Sequence, residues 1–590
     1  MKKTVPVVVS LTIGIALSVI FLPTGSRRAV HASDLAPAET LVFLHLPDLG
    51  RSAKRLPETA LAKIGREPEM QAFLERPLSK LPDNKEAHDT IARFERIQAG
   101  EVFVAVTEVN DSAAKFVGGF SFTGSRAEVD ALRPDLKGML PTGKVERVNY
   151  AGAEIDTLTD AKTFVADTVH AGWWLAANDL DALKSAIDRL NGKPEAAGKS
   201  LARSEQFRST IAVGTRDPDL MMYGDVDTLL HRVLPMVASA GLPIPAETMA
   251  SLKQAKAIAY SIRMDGTQFR ESAFLLSPGG KAGAALPLRS LAHSTAATSM
   301  LYAGALPAST GMSESTRAML ALVPGYSDLE KALSGSGMKP EDIGNVFGPE
   351  FGMFLDWPEK EPAPSIAFTI DVRDAAKAKA AAAALAGGSA GWEKSEHGGA
   401  IVLSQKSDAL LGLIQPTIAL GEKLAVLGLS PAGVNAVLDR ATAPQNQISA
   451  AASFQTAATQ VAAPTSGFAF IDLKTLFERS YGTVRPLAVL ALAFQPEVGR
   501  YIDAGKLPKT ATIAQHLGPV VYSNSTTESG TLIESSGPIT MTQLGLLLGG
   551  SGAGAAASGM LESGGALDPK ALGLPTPRAG GESGEGARDR

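Results

Sequence analysis

Short runs in which apolar and polar residues alternate recur along the chain, and such runs are typical of half-buried β-strands. Residues 102–106 (VFVAV) and 367–371 (AFTID) are examples, whereas the alanine-rich run at 375–384 has high helix propensity. Consecutive strand patterns are separated by short turns, which favours antiparallel pairing. The pattern therefore predicts an α+β fold in which helices pack on one face of a mainly antiparallel sheet.

One octet occurs twice, as DVDTLLHR at residues 225–232 and as DLKTLFER at residues 472–479. A strand-like run precedes each copy, and an apolar pattern with helical spacing follows. Aspartate is a preferred N-cap residue because its carboxylate accepts hydrogen bonds from the unpaired amides of the first helical turn. The octet therefore predicts a capped helix that begins after Asp225 and again after Asp472.

The octet belongs to a longer repeat, because three other segments match in the same order. The matching segments are residues 100–106 and 349–355, 119–129 and 367–377, and 173–190 and 424–441. With the octet counted last, the offsets are 249, 248, 251 and 247 residues, and they place Glu101 opposite Glu350 and Asp188 opposite Asp439. Collinear matches at a nearly constant offset predict a tandem duplication of a unit of about 250 residues.

The repeat predicts how the chain divides. The predicted parts are a signal peptide or membrane anchor at 1–32, a first α+β repeat at 33–286, a join at 287–298, a second α+β repeat at 299–548, and a tail at 549–590. The tail is rich in Gly, Ala and Ser and has few large apolar residues, so we expect it to be disordered.

The N-terminus has the features of an export segment. Lys2 and Lys3 precede an apolar run at residues 5–22, and small residues around Ala32 would allow cleavage before Ser33. The run is 18 residues long, which is close to the length that spans a bilayer, so a retained inner-membrane anchor is the alternative. Both alternatives predict an exported bacterial envelope protein, in the periplasm or on the outer face of the cytoplasmic membrane.

Composition narrows the function classes. The 590 residues are 45% hydrophobic and carry a net charge of -5, so we expect no nucleic-acid partner. The chain contains no cysteine, which excludes disulfides, thiolate metal sites and a cysteine nucleophile. Its histidines show no metal-ligand spacing, and we expect no cofactor. An uncharged stretch within residues 538–561 leaves a second membrane contact open.

Two groups of residues are candidates for contacts or chemistry. Trp173 and Trp174 are adjacent on a predicted strand, so they point to opposite faces, and either could contact a ligand or a partner. Glu154 and Asp156 would share one face of a strand and could form an acid and base pair, with His170 as a more distant member. Solvated strand residues and domain packing are the ordinary explanations for these groups.

The predicted start of the mature region resembles a family of exported bacterial proteins of unknown function. Members open with a leucine-proline-alanine strand, followed by a helix that ends in glutamate-proline-glutamate and a phenylalanine-leucine pair. The corresponding elements here are residues 35–46 (LAPAETLVFLHL) and 66–74 (REPEMQAFL). The resemblance implies export and repeat architecture, and it brings no catalytic residues.

The sequence thus favours a non-enzymatic binding or scaffold protein of the bacterial cell envelope, whose partner or ligand is unknown. A carrier of an apolar or lipid-like ligand is one alternative. A hydrolase whose site is assembled from distant residues is another.

Overall fold

The computed structural model describes residues 30–79, 96–109, 114–131, 143–159, 164–239, 253–306, 331, 343–361, 363–387, 392–405, 414–444, 446–493 and 502–544. The apolar run of the predicted export segment, the predicted tail from 549, and the part of 538–561 beyond residue 544 lie outside these residues.

Within the described residues, ten strands form the first half of the sheet. They are β1 (Val42–Leu46), β2 (Ala99–Val109), β3 (Ala114–Phe122), β4 (Lys144–Tyr150), β5 (Ala153–Thr159), β6 (Phe164–His170), β7 (Trp173–Ala177), β8 (Leu220–Gly224), β9 (Ala257–Asp265) and β10 (Gln268–Leu276). Their spatial order is β4-β5-β6-β7-β3-β2-β1-β8-β9-β10, and every pairing is antiparallel.

Ten further strands in the part of the chain that the structure describes form the second half. They are β11 (Thr298–Ala305), β12 (Phe347–Asp356), β13 (Ser365–Val372), β14 (Trp392–His397), β15 (Ala400–Gln405), β16 (Thr417–Leu420), β17 (Leu424–Gly428), β18 (Gly467–Asp472), β19 (Pro519–Thr526) and β20 (Gly530–Gly537). Their order is β14-β15-β16-β17-β13-β12-β11-β18-β19-β20, again antiparallel throughout. The strand order is therefore the same in both halves, whereas the duplication and the domain boundaries stay predictions from the sequence.

The last strands of the two halves join them into one sheet. Strands β10 and β20 pair antiparallel, with Phe269 opposite Gly537 and Leu276 opposite Gly530. The buried Glu271 lies opposite Ser535, whose hydroxyl donates to its Oε2 at 2.7 Å. The outer edges are β4 and β14, and most of their side chains are exposed, including several charged ones. Charged edge strands discourage pairing with another chain.

The helices are interspersed between the strands. They are α1 (Ala32–Leu35), α2 (Leu49–Arg55), α3 (Ala60–Arg66), α4 (Pro68–Leu78), α5 (Leu180–Leu190), α6 (Pro194–Ala197), α7 (Glu205–Ile211), α8 (Val226–Ser239), α9 (Ile343–Val346), α10 (Ala375–Gly387), α11 (Pro431–Thr442), α12 (Ala452–Ala458), α13 (Leu473–Ala493) and α14 (Thr510–Ala514). The α+β class and the antiparallel sheet are as predicted.

Helices lie against both faces of the sheet, where the sequence predicted one. Phe368 packs with α10, whereas the adjacent Ala367 packs with α11. In the first half, Phe103 packs with α5 and the adjacent Val102 with α2. Successive side chains of a strand point to opposite faces, so each half has a core on each side of the sheet. The pattern missed this because many strands, such as β17, are buried on both faces and do not alternate.

Candidate interaction sites

The repeated octet forms the same cap in both halves. Asp225 Oδ1 accepts the Thr228 amide at 3.0 Å, and Asp225 Oδ2 accepts the Thr228 hydroxyl at 2.9 Å. Asp472 accepts the amide and hydroxyl of Thr475 at 3.1 and 2.8 Å. Asp225 follows β8 and Asp472 is the last residue of β18, and the long helices α8 and α13 begin directly after them. The capping prediction is confirmed: in both halves the octet forms the N-terminal cap of a helix.

A carboxylate holds the segment that leads into each half. Glu101 Oε2 accepts the Ala32 amide at 2.7 Å, at the start of α1. Glu350, which is 1% exposed, accepts the amides of Arg289 and Ser290 at 3.0 and 2.8 Å, at the start of a 3-10 turn. These two carboxylates are the pair that the sequence placed opposite one another. They accept hydrogen bonds from backbone amides at the start of a helical turn, where such amides otherwise lack partners.

Two histidines also contact the first of these carboxylates. His31 Nδ1 lies 2.9 Å from Glu101 Oε1, and His45 Nε2 lies 3.3 Å from Glu101 Oε2. Burial raises the pKa of Glu101, but hydrogen bonds from His45 and the Ala32 amide outweigh it, so that the pKa is lowered overall. Glu101, on β2, is therefore held as an anion beside the start of α1 and strand β1.

The aligned Asp188 and Asp439 also make corresponding contacts. The Tyr150 hydroxyl donates to Asp188 Oδ2 at 2.9 Å, and His397 Nε2 lies 2.7 Å from Asp439 Oδ1. Tyr150 ends edge strand β4, and His397 ends edge strand β14. Each aspartate thus ties a helix, α5 or α11, to the outer edge of its half.

The arginine after each of these aspartates turns inward. Arg189 Nε donates to the Leu35 carbonyl at 2.8 Å, and burial lowers the pKa of Arg189 to about 10. Arg440 forms an ion pair of 2.8 Å with the buried Asp356. The neighbouring His293 is largely buried, and its burial, with the charge of Arg440, lowers its pKa to about 4.

An ionic contact, here called the clamp, links α4 of the first half to residues 503–516 of the second. Glu69 accepts the Lys509 amide at 2.8 Å and the Thr512 hydroxyl at 2.8 Å, and it pairs with the Lys509 ammonium at 3.0 Å. The Lys509 amide, the Thr512 hydroxyl and the Lys509 ammonium, in that order, lower the pKa of Glu69 to about 2. This carboxylate therefore stays ionised under mildly acidic conditions.

Further pairs extend the clamp along α4. Glu67 Oε1 lies 2.6 Å from His516 Nε2. Glu75 pairs with Lys506 at 2.8 Å, and the hydrogen bond from this lysine lowers the pKa of Glu75. Arg76 pairs with Asp503 at 3.2 Å. The clamp thus joins residues more than 400 positions apart in the sequence.

Sequence reasoning did not identify the clamp. Its acidic half lies in the REPEMQAFL segment, where glutamates flank Pro68 at the start of a helix. That acidic helix start was the available signal, but nothing in the sequence pairs it with a lysine about 440 residues away. The same dipeptide, Glu-Ser, occurs at residues 271–272 and 534–535, and the two copies lie opposite each other across β10 and β20. Sequence reasoning did not identify this pairing either.

The two tryptophans point to opposite sides of β7. Trp173 is fully buried and lies edge-on to Phe103, with ring centroids 5.8 Å apart. Trp174 is partly exposed, lies 5.2 Å from the Phe120 ring, and donates from Nε1 to Asp167 Oδ2 at 3.2 Å. Trp173 is thus a core residue in this structure. A ligand or partner contact at Trp173 or Trp174 stays a prediction.

The structure does not bring the three candidate catalytic residues together. Arg147 pairs with both Glu154 and Asp156, at 2.7 and 2.8 Å. Asp156 lies opposite Asp167 on β6, whereas His170 is three positions further along β6 and so points to the other face. His170 Nε2 instead lies 2.8 Å from Asn191 Oδ1. The sheet therefore separates this histidine from the two carboxylates.

The described residues bear on two classes of site, metal sites and membrane-spanning helices. Across these ranges no group of three or more His, Asp and Glu side chains could hold a metal ion. Within the same part of the chain, no helix has both the length and the apolarity needed to cross a membrane.

Comparison with known proteins leaves this α+β protein without a family assignment. No protein-family model matches the chain, and no curated protein matches it. Crystal forms III and IV of TP0453 are each 8% identical to this chain, with TM-scores of 0.23 and 0.24. The matched regions cover 43% and 42% of this chain, and 82% and 81% of the TP0453 chains. Crystal form I of TP0453 is 11% identical, with a TM-score of 0.21. Likeness at this level carries no argument, and the resemblance to the exported family stays a prediction.

Proposed function

We propose that the protein is a non-enzymatic scaffold of the bacterial cell envelope, in which two like halves form one frame that presents a continuous surface to a protein partner. The clamp is the observation that carries the proposal. Strands β10 and β20 join the halves through the sheet, and the clamp adds a separate contact between α4 and residues 503–516. Two separated attachments are what a rigid frame requires.

The extent of the sheet supports the same proposal. The twenty strands that the structure describes, at the usual spacing, extend over roughly 90 Å. Such a length exceeds what one small-molecule site needs, and it suits contacts with an extended partner. The charged edges β4 and β14 keep the frame from growing by edge-to-edge pairing.

A charge-swap experiment tests this function. The tagged full chain would be cross-linked in envelope fractions as wild type, as Glu69→Lys, as Lys509→Glu, and as the double variant. We expect a defined partner to be recovered with the wild type, less with each single reversal, and partly again with the double variant, because the swap restores the ion pair but not an acceptor for the Lys509 amide and the Thr512 hydroxyl. Circular dichroism would verify that every variant is folded. Recovery of no partner, or equal recovery with all four proteins, would contradict the proposal.

A carrier of an apolar ligand is a second candidate, and one surface favours it. Leu44 lies between Val104 and Met222 across strands β2, β1 and β8, with side chains on one face. Met222 is 40% exposed, and Ile258 on the next strand is 39% exposed. A row of partly exposed apolar side chains on a sheet face could hold an acyl chain.

Native mass spectrometry with lipid extraction tests this candidate. We expect a copurifying apolar molecule with the wild type and its loss with Met222→Glu. Val213→Glu is the matched control, because Val213 is similarly exposed, at 37%, outside this row. An absence of bound molecules in all three proteins would exclude the carrier.

A further inference from the structure

The C-terminal part of α13 exposes a group of large apolar side chains. Val484 is 54% exposed, Leu487 62%, Val489 38% and Leu490 58%. Val484, Leu487 and Leu490 are spaced three residues apart, so they form one stripe along the helix. We call residues 484–490 the apolar tip.

Among the described residues, hydrogen bonds attach this helix to the rest of the protein near the base of the tip. The Tyr481 hydroxyl donates to the Pro508 carbonyl at 2.9 Å, and the Arg485 guanidinium donates to the Leu507 carbonyl at 3.1 Å. From Pro486 onward no charged residue occurs in the sequence until Glu497. An uncharged helix end that is exposed on more than one side is unusual for a surface in contact with water alone.

We propose that the apolar tip enters the interfacial region of a lipid bilayer. The tip is too short to span a membrane, which needs about 20 apolar residues, but it is long enough to lie among head groups and upper acyl chains. Arg485 lies at the base of the tip and is the charged residue nearest to it along the helix. Basic residues next to an apolar helix face suit an anionic lipid surface.

The area of the tip favours lipid over a second copy of this chain. Its four exposed side chains offer roughly 400 Å², about half of the ~800 Å² per partner that a stable protein interface buries.

The helix at the same place in the first half, α8, begins with the same cap, and its sequence is uncharged from Val233 to Ser239. The inference goes beyond the scaffold function, since a scaffold need not touch lipid through this helix.

The absence of native cysteines allows a site-specific test in the full chain. Leu487→Cys and, separately, Leu490→Cys would be labelled with an environment-sensitive fluorophore, with Leu61→Cys on α3 as the matched control at 42% exposure. Each protein would be mixed with vesicles of phosphatidylcholine and phosphatidylglycerol. We expect a blue shift and about a doubling of intensity at 487 and 490, and no change at 61.

Two further measurements keep the outcomes apart. Leu487→Glu should abolish the shift of a label at 490, although the protein can still float with vesicles through its N-terminal apolar segment. Unchanged spectra at 487 and 490 on vesicle-bound protein would overturn the proposal. A blue shift that needs no vesicles and grows with protein concentration would overturn it in favour of self-association. None of these results alters the charge-swap test of the scaffold.

Discussion

The two halves of the sheet share one strand order but differ in the side chains that meet at corresponding places. Glu101 and Glu350 both accept backbone amides, yet Glu101 also contacts His31 and His45, whereas Glu350 accepts the Ser290 hydroxyl. The contacts to backbone groups recur because an amide has the same chemistry whatever residue carries it. The side-chain contacts of these two glutamates differ, since a contact between side chains needs two matched residues at once.

The helix caps and the contacts at the outer edges show the same difference. Asp225 and Asp472 cap α8 and α13 with nearly equal distances, because cap and helix lie within one octet. Asp188 and Asp439 instead bind a tyrosine and a histidine that lie on another strand. Local hydrogen bonds to the backbone are therefore the contacts that agree best between the two halves.

Replacement of the two buried glutamates should give the largest difference between the halves. Glu350→Gln would remove a charge that accepts three donors in a fully buried place, and we expect a loss of about 2–4 kcal/mol of unfolding free energy. Glu101→Gln should cost about 1–2 kcal/mol, because the Glu101 side chain is 12% exposed and water can replace part of the lost contact.

Urea denaturation and amide hydrogen exchange at residues 31–32 and 289–290 would measure these two losses separately. Glu359→Gln is the control, since this side chain is exposed. Equal effects in the two halves would show that burial does not set the difference.

Acidification should weaken the second half through His293. Burial lowers the pKa of this histidine to about 4, so the unfolded chain binds its proton more readily than the folded one. The stability from neutral His293 is complete above about pH 6.5 and declines as the pH falls to about 4, by about 1–3 kcal/mol. His293→Leu should flatten this part of the pH profile in thermal denaturation, whereas the exposed His231→Leu should leave it unchanged. An unchanged slope with His293→Leu would contradict the assignment.

The two caps should give smaller and equal effects. Asp225→Ala and Asp472→Ala each remove one acceptor from a helix start, which costs about 1 kcal/mol. Hydrogen exchange of the first turns of α8 and α13 would measure both, with Lys474→Ala as a control inside the same octet. A difference well above the error of the method would show that the caps are not equivalent.

The sequence allowed three features to be predicted: the fold class, the octet caps, and the equivalence of Glu101 and Glu350 as aligned positions in the two halves. These features depend on short-range patterns and on their recurrence along the chain. The sequence did not indicate that helices lie on both faces, since strands buried on both sides lose their alternation. It also missed the clamp. Glu69 and Lys509 are each ordinary surface residues in the sequence, and only the three-dimensional fold shows that their positions coincide.

The clamp should produce the smallest effect on stability, and its pH dependence identifies it. The pKa of Glu69 is held at about 2 by the Lys509 amide, the Thr512 hydroxyl and the Lys509 ammonium, against about 4.5 in the unfolded chain. The folded state therefore gains stability from this carboxylate above about pH 4.5, and the gain is lost as the pH falls towards 2.

The difference in melting temperature between the wild type and Glu69→Gln would measure that gain. We expect it to be constant near neutral pH and to shrink below about pH 4.5, while Glu58→Gln, at an exposed pair within the first half, gives no such trend. High salt should reduce the difference, because both partners of the clamp remain partly exposed. A difference that persists unchanged down to pH 3 would mean that Glu69 is not bound as an anion. The clamp would then be a packing contact, and the second attachment between the halves would not depend on charge.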